Sequence, residues 1–275
     1  MLTLLHASDL HFGKPHRPEA LEVFRQFLDG VSPDLIVLSG DFTQRAKIPE
    51  YQAARQFLES LGDFPVVVTP GNHDVPLYRV AERLFAPLRN YRKYISETLD
   101  SVTKIPGLSV VSLDSTSPHS AIVNGRLSDA QLLFAAQAFS LTPAEDLKIL
   151  VAHHNLIPAP DFEPQQVLPG YQKCLSALAK MKVDLIIGGH LHRAFIGTSL
   201  DAYPQPPHTH PMVIVHSGTT TSTRGRARER GLNSLNLIRI GKDEFSITPH
   251  LLREVPGEFE PTGTHTFPRI QGGTP

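Results

Sequence analysis

Acidic, amide and imidazole side chains recur in five short segments of this 275-residue chain. The segments are 9–11 (Asp-Leu-His), 40–41 (Gly-Asp), 71–74 (Gly-Asn-His-Asp), 153–154 (His-His) and 189–192 (Gly-His-Leu-His). Carboxylate and imidazole donors suit manganese, iron, zinc or cobalt ions, and the one cysteine, Cys174, excludes a sulfur-based site. Two ions held close together need a bridging carboxylate. We assign that role to Asp41, because the glycine before it permits close backbone approach.

Each segment follows a short apolar run that is bounded by Gly, Pro or Asp. The runs are 2–5, 35–38, 66–68, 149–151 and 185–187. Such runs are typical of strands that are buried on both faces. Open α/β sheets bind their ligands beyond the carboxyl ends of the strands. We therefore expect the five segments to meet at one edge of the fold.

Helical spacing of apolar residues fills the regions between these strands. It predicts helices over 18–28, 51–61 and 171–181, and another that is capped by Ser128 and runs through Phe139. Segments 212–216, 234–240 and 244–251 are predicted to be antiparallel strands of a second sheet. The pattern predicts an α/β fold: a two-sheet β-sandwich flanked by helices, within one catalytic domain over residues 1–255.

The ordered series of segments resembles the calcineurin-like metallophosphoesterase superfamily. Within it, the chain is similar to the bacterial class III cyclic-nucleotide and glycerophosphodiester phosphodiesterases. A lone Asp-x-His or Gly-His-x-His would be weak support, whereas five segments in order, each behind a strand, are specific. The resemblance runs from Leu2 to about Arg239, and it implies the αββα architecture.

The resemblance also implies a ligand set for two metal ions. It implies a first ion held by Asp9, His11, Asp41 and His192, and a second held by Asp41, Asn72, His153 and His190. Of the adjacent pair His153 and His154, we assign the first, from its position relative to the strand in the family pattern. The Asn155-Leu156 sequence departs from the His-His-Pro form common in relatives.

The mechanism that the resemblance implies is hydrolysis of a phosphodiester by a metal-dependent enzyme. A water or hydroxide held between the ions attacks phosphorus. His73 donates a hydrogen bond or a proton to the leaving group, and Asp74 orients that imidazole. A small-molecule diester, with 3′,5′-cyclic nucleotides as the leading class, is the substrate implied.

Each residue also has a simpler interpretation. Asp9 and Asp41 could cap helices, segment 72–74 could be an ordinary turn, and His190 and His192 could face solvent. These interpretations fail jointly, because caps and turns do not predict acids and histidines at five strand ends.

Other substrates and another class of function stay open at this stage. Glycerophosphodiesters and nucleotide-sugar or lipid pyrophosphates are alternatives within a broad-specificity phosphodiesterase. A net charge of −1 and the absence of tryptophan argue against nucleic acid. A catalytically silent metal-binding interaction module should show gaps in the ligand set, and here every position is filled.

Three further regions have predicted roles. A helical cap insertion over about 76–100 could present cations to phosphate, although a packed stripe of Leu84, Phe85, Leu88, Tyr91 and Ile95 beneath a solvated arginine face explains most of it. The arginine-rich loop over 224–230 could lie near phosphate or be exposed. Loop 201–211, with His208 and His210, is interpreted as structural or exposed, and 256–275 as a flexible tail without a catalytic role.

Composition predicts a cytoplasmic enzyme. One cysteine excludes internal disulfides, and the first residues lack the basic region and long apolar stretch of a signal peptide. No segment approaches membrane-spanning length. Whether the chain forms a homodimer is open from the sequence.

Overall fold

The computed structural model describes residues 1–120, 122–159, 167–202, 210–255 and 257–270. The strands are β1 (Leu2–Ala7), β2 (Leu35–Leu38), β3 (Val66–Val68), β4 (Ser101–Ile105), β5 (Leu108–Ser112), β6 (Leu147–Val151), β7 (Leu185–Gly188), β8 (Phe195–Thr198), β9 (Val213–His216), β10 (Asn233–Ile240), β11 (Glu244–Leu252), β12 (Phe259–Pro261) and β13 (His265–Pro268). The α-helices are α1 (Pro18–Val31), α2 (Ile48–Glu59), α3 (Val80–Phe85), α4 (Arg89–Tyr94), α5 (Asp129–Ser140), α6 (Tyr171–Lys180) and α7 (Ser199–Ala202).

The strands form two mixed sheets. One sheet has the order β12-β11-β10-β1-β2-β3, with β13 also paired to β11, and the other has the order β4-β5-β6-β7-β9-β8. Among the strands that carry the five segments, β1 is parallel to β2, β2 is parallel to β3, and β6 is parallel to β7. The carboxyl ends of neighbouring parallel strands lie at one edge, so the segments that follow them are brought together.

Apolar side chains form three layers. Leu4 belongs to the layer between the two sheets, and its neighbour Leu5 belongs to the layer beneath α1 and α2. A third layer joins α5 and α6 to the outer face of the second sheet. Because successive strand residues point to opposite faces, one apolar run supplies two layers. The layers confirm the predicted fold class, a two-sheet β-sandwich flanked by helices.

The later strands differ from the prediction in their sheet membership. Strand β9 joins the second sheet as predicted, where it is antiparallel to β8 on one side and parallel to β7 on the other. Strands β10 and β11 instead extend the first sheet, where β10 is antiparallel to β1. The alternation of apolar and polar residues along a strand shows which face is buried, but it does not show which strand pairs with it. The pairing of β10 with β1 was therefore not predictable from the segment itself.

The predicted tail requires a correction. Strands β12 and β13 both pair with β11, and Phe267 stacks on Phe245 with ring centroids 5.6 Å apart. These strands are too short to show a periodic apolar pattern in the sequence. Residues 256 and 271–275 lie outside the described residues, as do residues 203–209 of the predicted 201–211 loop.

The cap region folds as the two short helices α3 and α4. Leu88 and Tyr91 are buried, as the packed stripe predicts, and Ile95 packs partly buried beside them. Leu84 and Phe85 do not follow the stripe, since they are 48% and 86% exposed. In the described parts of the chain, every helix is too short or too polar to cross a bilayer.

Candidate metal centre

The backbone at the strand ends adopts an uncommon conformation. Five of the predicted ligands have positive φ angles: Asp9 (55°), His11 (48°), Asp41 (55°), His190 (70°) and His192 (56°). Residues other than glycine rarely adopt this left-handed region, and such strain concentrates at functional sites. The tight turns direct side chains two positions apart, such as those of Asp9 and His11, into the same small volume.

Four of the predicted ligands form what we call the carboxylate cluster. One potential ligand atom from each of Asp9, His11, Asp41 and His192 lies within 4.8 Å of the others, and all four residues are buried. His192 Nε2 lies 3.1 Å from Asp9 Oδ1, and His11 Nε2 lies 3.7 Å from Asp41 Oδ2. The cluster joins loops that follow β1, β2 and β7.

A second group, the histidine cluster, consists of His153, His154 and His190. One potential ligand atom from each lies within 4.8 Å of the others. Asn72 joins this group through its side-chain oxygen, which is 3.0 Å from His190 Nδ1. The prediction assigned only the first of the adjacent histidines, and the structure brings both into the cluster.

Asp41 lies between the two clusters. Its Oδ2 atom is 3.4 Å from His153 Nε2 and 3.7 Å from His11 Nε2. Its Oδ1 atom accepts a hydrogen bond from the His73 backbone N–H at 2.8 Å. One carboxylate oxygen is therefore held by the backbone while the other faces donors from both clusters, the arrangement expected of a bridging ligand.

Backbone carbonyls fix the tautomers of three of the predicted ligand histidines. The Nδ1 atoms of His11, His153 and His192 lie 3.3, 2.7 and 3.1 Å from the carbonyl oxygens of Thr43, Ser39 and Arg224. A carbonyl only accepts, so each Nδ1 carries a hydrogen, and in the neutral ring each Nε2 presents a lone pair. This pairing is how proteins orient metal-binding imidazoles.

Several buried polar atoms at the centre lack a hydrogen-bond partner in the part of the chain that the structure describes. Asp9 Oδ1, Asp41 Oδ2 and His153 Nε2 have no hydrogen-bond partner among the described residues. His11 Nε2 and His192 Nε2 face each other at 3.3 Å, and as lone pairs they cannot bond to one another. Buried polar atoms without partners are costly, and bound metal ions would satisfy all of them.

Close-packed glycines hold two of these ligands. A Cβ atom on Gly40 would lie 2.6 Å from His153 Nδ1, and one on Gly71 would collide with Asp41 Oδ1. Only glycine permits the backbone to approach the ligands this closely. The sequence shows glycines in these turns, but the predicted ligand that each one contacts lies in a loop after a different strand.

The charges of the centre favour cation binding. Burial would raise the pKa of Asp9, but His192 and His11 outweigh it and hold the pKa well below its usual range. Burial would likewise lower the pKa of His153, but Asp41 outweighs burial and raises it to about 9. Asp41 thus attracts positive charge to this point, and a metal ion would replace the imidazole proton.

His73 lies at the edge of the centre. Its Nδ1 atom is 2.9 Å from the Gln44 carbonyl oxygen, and its ring contacts that of His11 edge-on, with centroids 4.8 Å apart. The carbonyl fixes the hydrogen on Nδ1, as for the ligand histidines. His73 also lines the cavity over the centre, which agrees with a role towards substrate.

The predicted role of Asp74 requires a correction. Its carboxylate accepts hydrogen bonds from the backbone N–H groups of Phe42, Thr43 and Gly71, at 3.2, 2.9 and 3.0 Å. The His73 ring bonds to the Gln44 carbonyl instead. Adjacent residues in a tight turn point in different directions, so Asp74 ties the Asp41 loop to the Asn72 loop rather than orienting His73.

A cavity of about 240 Å³ opens over the two clusters. Its lining includes three cations, Arg45, Arg224 and Arg226, and the apolar side chains Val75, Leu77, Ile122 and Val123. Of the predicted cap over 76–100, only Leu77, which precedes α3, lines the cavity. The arginine-rich loop contributes Arg224 and Arg226. Gln44 and Arg45 were not predicted, and they carry no sequence signal beyond following Asp41.

The chain is similar to known phosphoesterases. The family described as calcineurin-like phosphoesterase matches residues 2–194. A probable cyclic nucleotide phosphodiesterase from a Synechococcus species is 30% identical over 206 residues, covering 71% of this chain and 75% of the relative. A cAMP/cGMP dual specificity phosphodiesterase from Mycobacterium tuberculosis is 27% identical over 260 residues, covering 85% and 75%.

Two further comparisons extend the likeness. A probable glycerophosphodiester phosphodiesterase from Arcobacter nitrofigilis is 26% identical over 164 residues, covering 58% of this chain and 57% of the relative. The crystal structure of a dimetal phosphatase from Danio rerio superposes with a TM-score of 0.64 at 13% identity, covering 90% of this chain and 95% of that one. The structural likeness concerns the fold alone.

Proposed function

Since this chain belongs to the calcineurin-like phosphoesterase family and is a metal-dependent phosphoester hydrolase, we propose that its substrate is a small-molecule phosphodiester. The leading class is the 3′,5′-cyclic nucleotides. The observation that carries the proposal is the position of Asp41 Oδ2, which faces imidazole nitrogens of both clusters at 3.4 and 3.7 Å. A site built around one shared carboxylate supports two ions acting together.

The proposed ligands follow from the two clusters. Asp9, His11, Asp41 and His192 of the carboxylate cluster would hold the first ion. Asp41, Asn72, His153 and His190 would hold the second. When bound, the two ions supply a water of lowered pKa and neutralise charge on the phosphoryl oxygens. Manganese, iron, zinc and cobalt all suit these donors.

Side chains around the cavity do the rest of the chemistry. Arg224 is held by Gln44, whose Oε1 accepts from Arg224 Nη1 at 3.0 Å. A guanidinium fixed in this way can bind a non-bridging oxygen of the phosphodiester. His73, whose Nδ1–H is held by the Gln44 carbonyl, can protonate the leaving oxygen from Nε2 when the ring is in its imidazolium form.

The size and lining of the cavity support a small substrate. A volume of about 240 Å³ lies just under the range of typical small-molecule sites. The arginines suit the anionic phosphate, and the apolar side chains beside them suit a base or another flat apolar group. The two relatives named as cyclic nucleotide phosphodiesterases support that class, and the one named as a glycerophosphodiester phosphodiesterase supplies the competing substrate.

A His73→Gln variant tests the proposal with paired substrates. With manganese-loaded protein, we expect His73→Gln to lower kcat for 3′,5′-cyclic AMP by about 10²- to 10⁴-fold, the usual contribution of a general acid. The loss should be much smaller for bis(p-nitrophenyl) phosphate, because p-nitrophenolate leaves without protonation. The exposed His265 provides the matched control, and His265→Gln should retain full activity.

The same assay separates the alternatives. A glycerophosphodiester with a higher kcat/KM than the cyclic nucleotides would replace the proposed substrate class and leave the enzyme class intact. Hydrolysis of single-stranded nucleic acid at a rate that falls steeply with salt concentration would favour a polymeric substrate. If the protein binds two ions and hydrolyses none of these diesters, the proposal is wrong.

A further inference from the structure

His154 is a buried imidazole in the centre to which the ligand set above gives no role. It is 1% exposed, and its ring lies 4.9 Å from the ring of His190 and 5.0 Å from that of His153, centroid to centroid. It belongs to the histidine cluster, in which one ligand atom from each residue lies within 4.8 Å of the others. Its position is that of a ligand rather than of a core residue.

The two ring nitrogens of His154 have different surroundings. Nδ1 is 2.8 Å from the Ser115 hydroxyl, which also accepts the His154 backbone N–H at 3.2 Å. Nε2 is buried and has no hydrogen-bond partner among the described residues. The same division is found in His153, with Nδ1 fixed by a carbonyl and Nε2 without a partner. A buried nitrogen left in this state is unfavourable.

The packing behind His154 also matches that behind a proposed ligand. A Cβ atom on Gly125 would collide with His154 Nδ1, as one on Gly40 would with His153 Nδ1. Both glycines have positive φ angles, 70° and 100°. Each imidazole therefore has a glycine backbone packed closely against its Nδ1 side.

Given the two-ion site of the proposed function, on which this inference rests, we propose that His154 is an additional ligand of the second metal ion, through Nε2. The second ion then has three imidazoles, one amide and the shared carboxylate of Asp41. The first ion has two imidazoles and two carboxylates. Imidazole-rich sites favour zinc, cobalt and iron, whereas oxygen-rich sites favour manganese and magnesium. The second position is therefore selective for zinc or cobalt over manganese.

Metal affinities of His154→Gln test this proposal. By isothermal titration calorimetry of the metal-free protein, we expect wild type to bind two zinc ions. In His154→Gln, the affinity for one of the two zinc ions should fall by at least about 10- to 100-fold. That is the loss seen when a residue that only hydrogen-bonds to a metal ligand is replaced, and removing a ligand should cost no less. Manganese affinity at that position should fall less, since manganese depends less on imidazole. The cobalt-loaded variant should also show a changed visible absorption spectrum.

Control variants make the result specific. His250 is a buried histidine on β11, 7% exposed and away from the cavity, so His250→Gln should leave both zinc affinities unchanged. A second substitution, His154→Asn, and a thermal melt of each metal-free variant show whether any loss comes from misfolding. Equal losses of zinc and manganese affinity would indicate a structural role for His154 and overturn the proposal.

Two outcomes distinguish this inference from the proposed function. If wild type binds two ions and hydrolyses phosphodiesters, while His154→Gln keeps both zinc affinities and the cobalt spectrum, His154 is not a ligand and the proposed function stands. If wild type binds no second ion, this inference and the two-ion function are both wrong.

Discussion

The carboxylate cluster and the histidine cluster meet at one residue but differ in chemistry. The carboxylate cluster has two acidic side chains, and backbone carbonyls fix both of its histidines. The histidine cluster contains no acid of its own, and its neighbours are an amide, Asn72, and the hydroxyl of Ser115. The comparison teaches that one family site can offer two different positions, one rich in oxygen and one rich in nitrogen, joined by a single carboxylate.

The largest expected effect comes from changing the shared residue. Asp41→Asn removes the charge that both clusters face. We therefore expect the affinity for both ions and the phosphodiesterase kcat/KM to fall by more than about 100-fold, which exceeds the loss caused by replacing a residue that only hydrogen-bonds to a metal ligand. Metal content after dialysis and the rate on bis(p-nitrophenyl) phosphate measure the two effects. Asp29→Asn, at an exposed position on α1, is the control. Loss of one ion only would show that Asp41 is not shared.

A smaller effect should separate the clusters. Asp9 belongs to the carboxylate cluster, where its Oδ1 lies 3.1 Å from His192 Nε2. Its other oxygen, Oδ2, accepts a hydrogen bond from the His190 backbone N–H at 3.0 Å, which the amide oxygen of an asparagine can also accept. In Asp9→Asn we expect one ion to bind about 10- to 100-fold more weakly and the other to keep its affinity. Manganese should be affected more than zinc, the reverse of the result expected for His154→Gln. Identical metal selectivity in the two variants would contradict the distinction between the clusters.

The smallest effect on catalysis is expected at Asp74. An asparagine there keeps the shape but turns one acceptor oxygen into a donor, towards backbone N–H groups of Phe42, Thr43 or Gly71. We expect Asp74→Asn to lower the free energy of unfolding in urea by about 1–3 kcal/mol, the cost of unsatisfied buried donors. The folded protein should retain most of its activity on cyclic AMP. Full stability with a large loss of kcat would instead support a direct role in orienting His73.

Much of the centre was predictable because each strand end is a local pattern. Asp9, Asp41, Asn72 and His190 each stand just after an apolar run, and the predicted helices are within a few residues of the observed ones. The role of Asp74 was not predictable, because it depends on hydrogen bonds to residues 31 and 32 positions away in the chain. The same applies to β12 and β13, whose pairing partner is β11 rather than anything in their own composition.

By itself, the sequence determined which donor atoms are available and that they stand at the ends of buried strands, because residue type and apolar period are local properties. Only the tertiary structure decided which of those atoms face one another. His11 and His192, for example, are 181 positions apart and lie with their Nε2 atoms 3.3 Å apart. Strand order, carbonyl contacts and glycine packing bring such atoms together, and all three depend on long-range pairing that no single segment encodes.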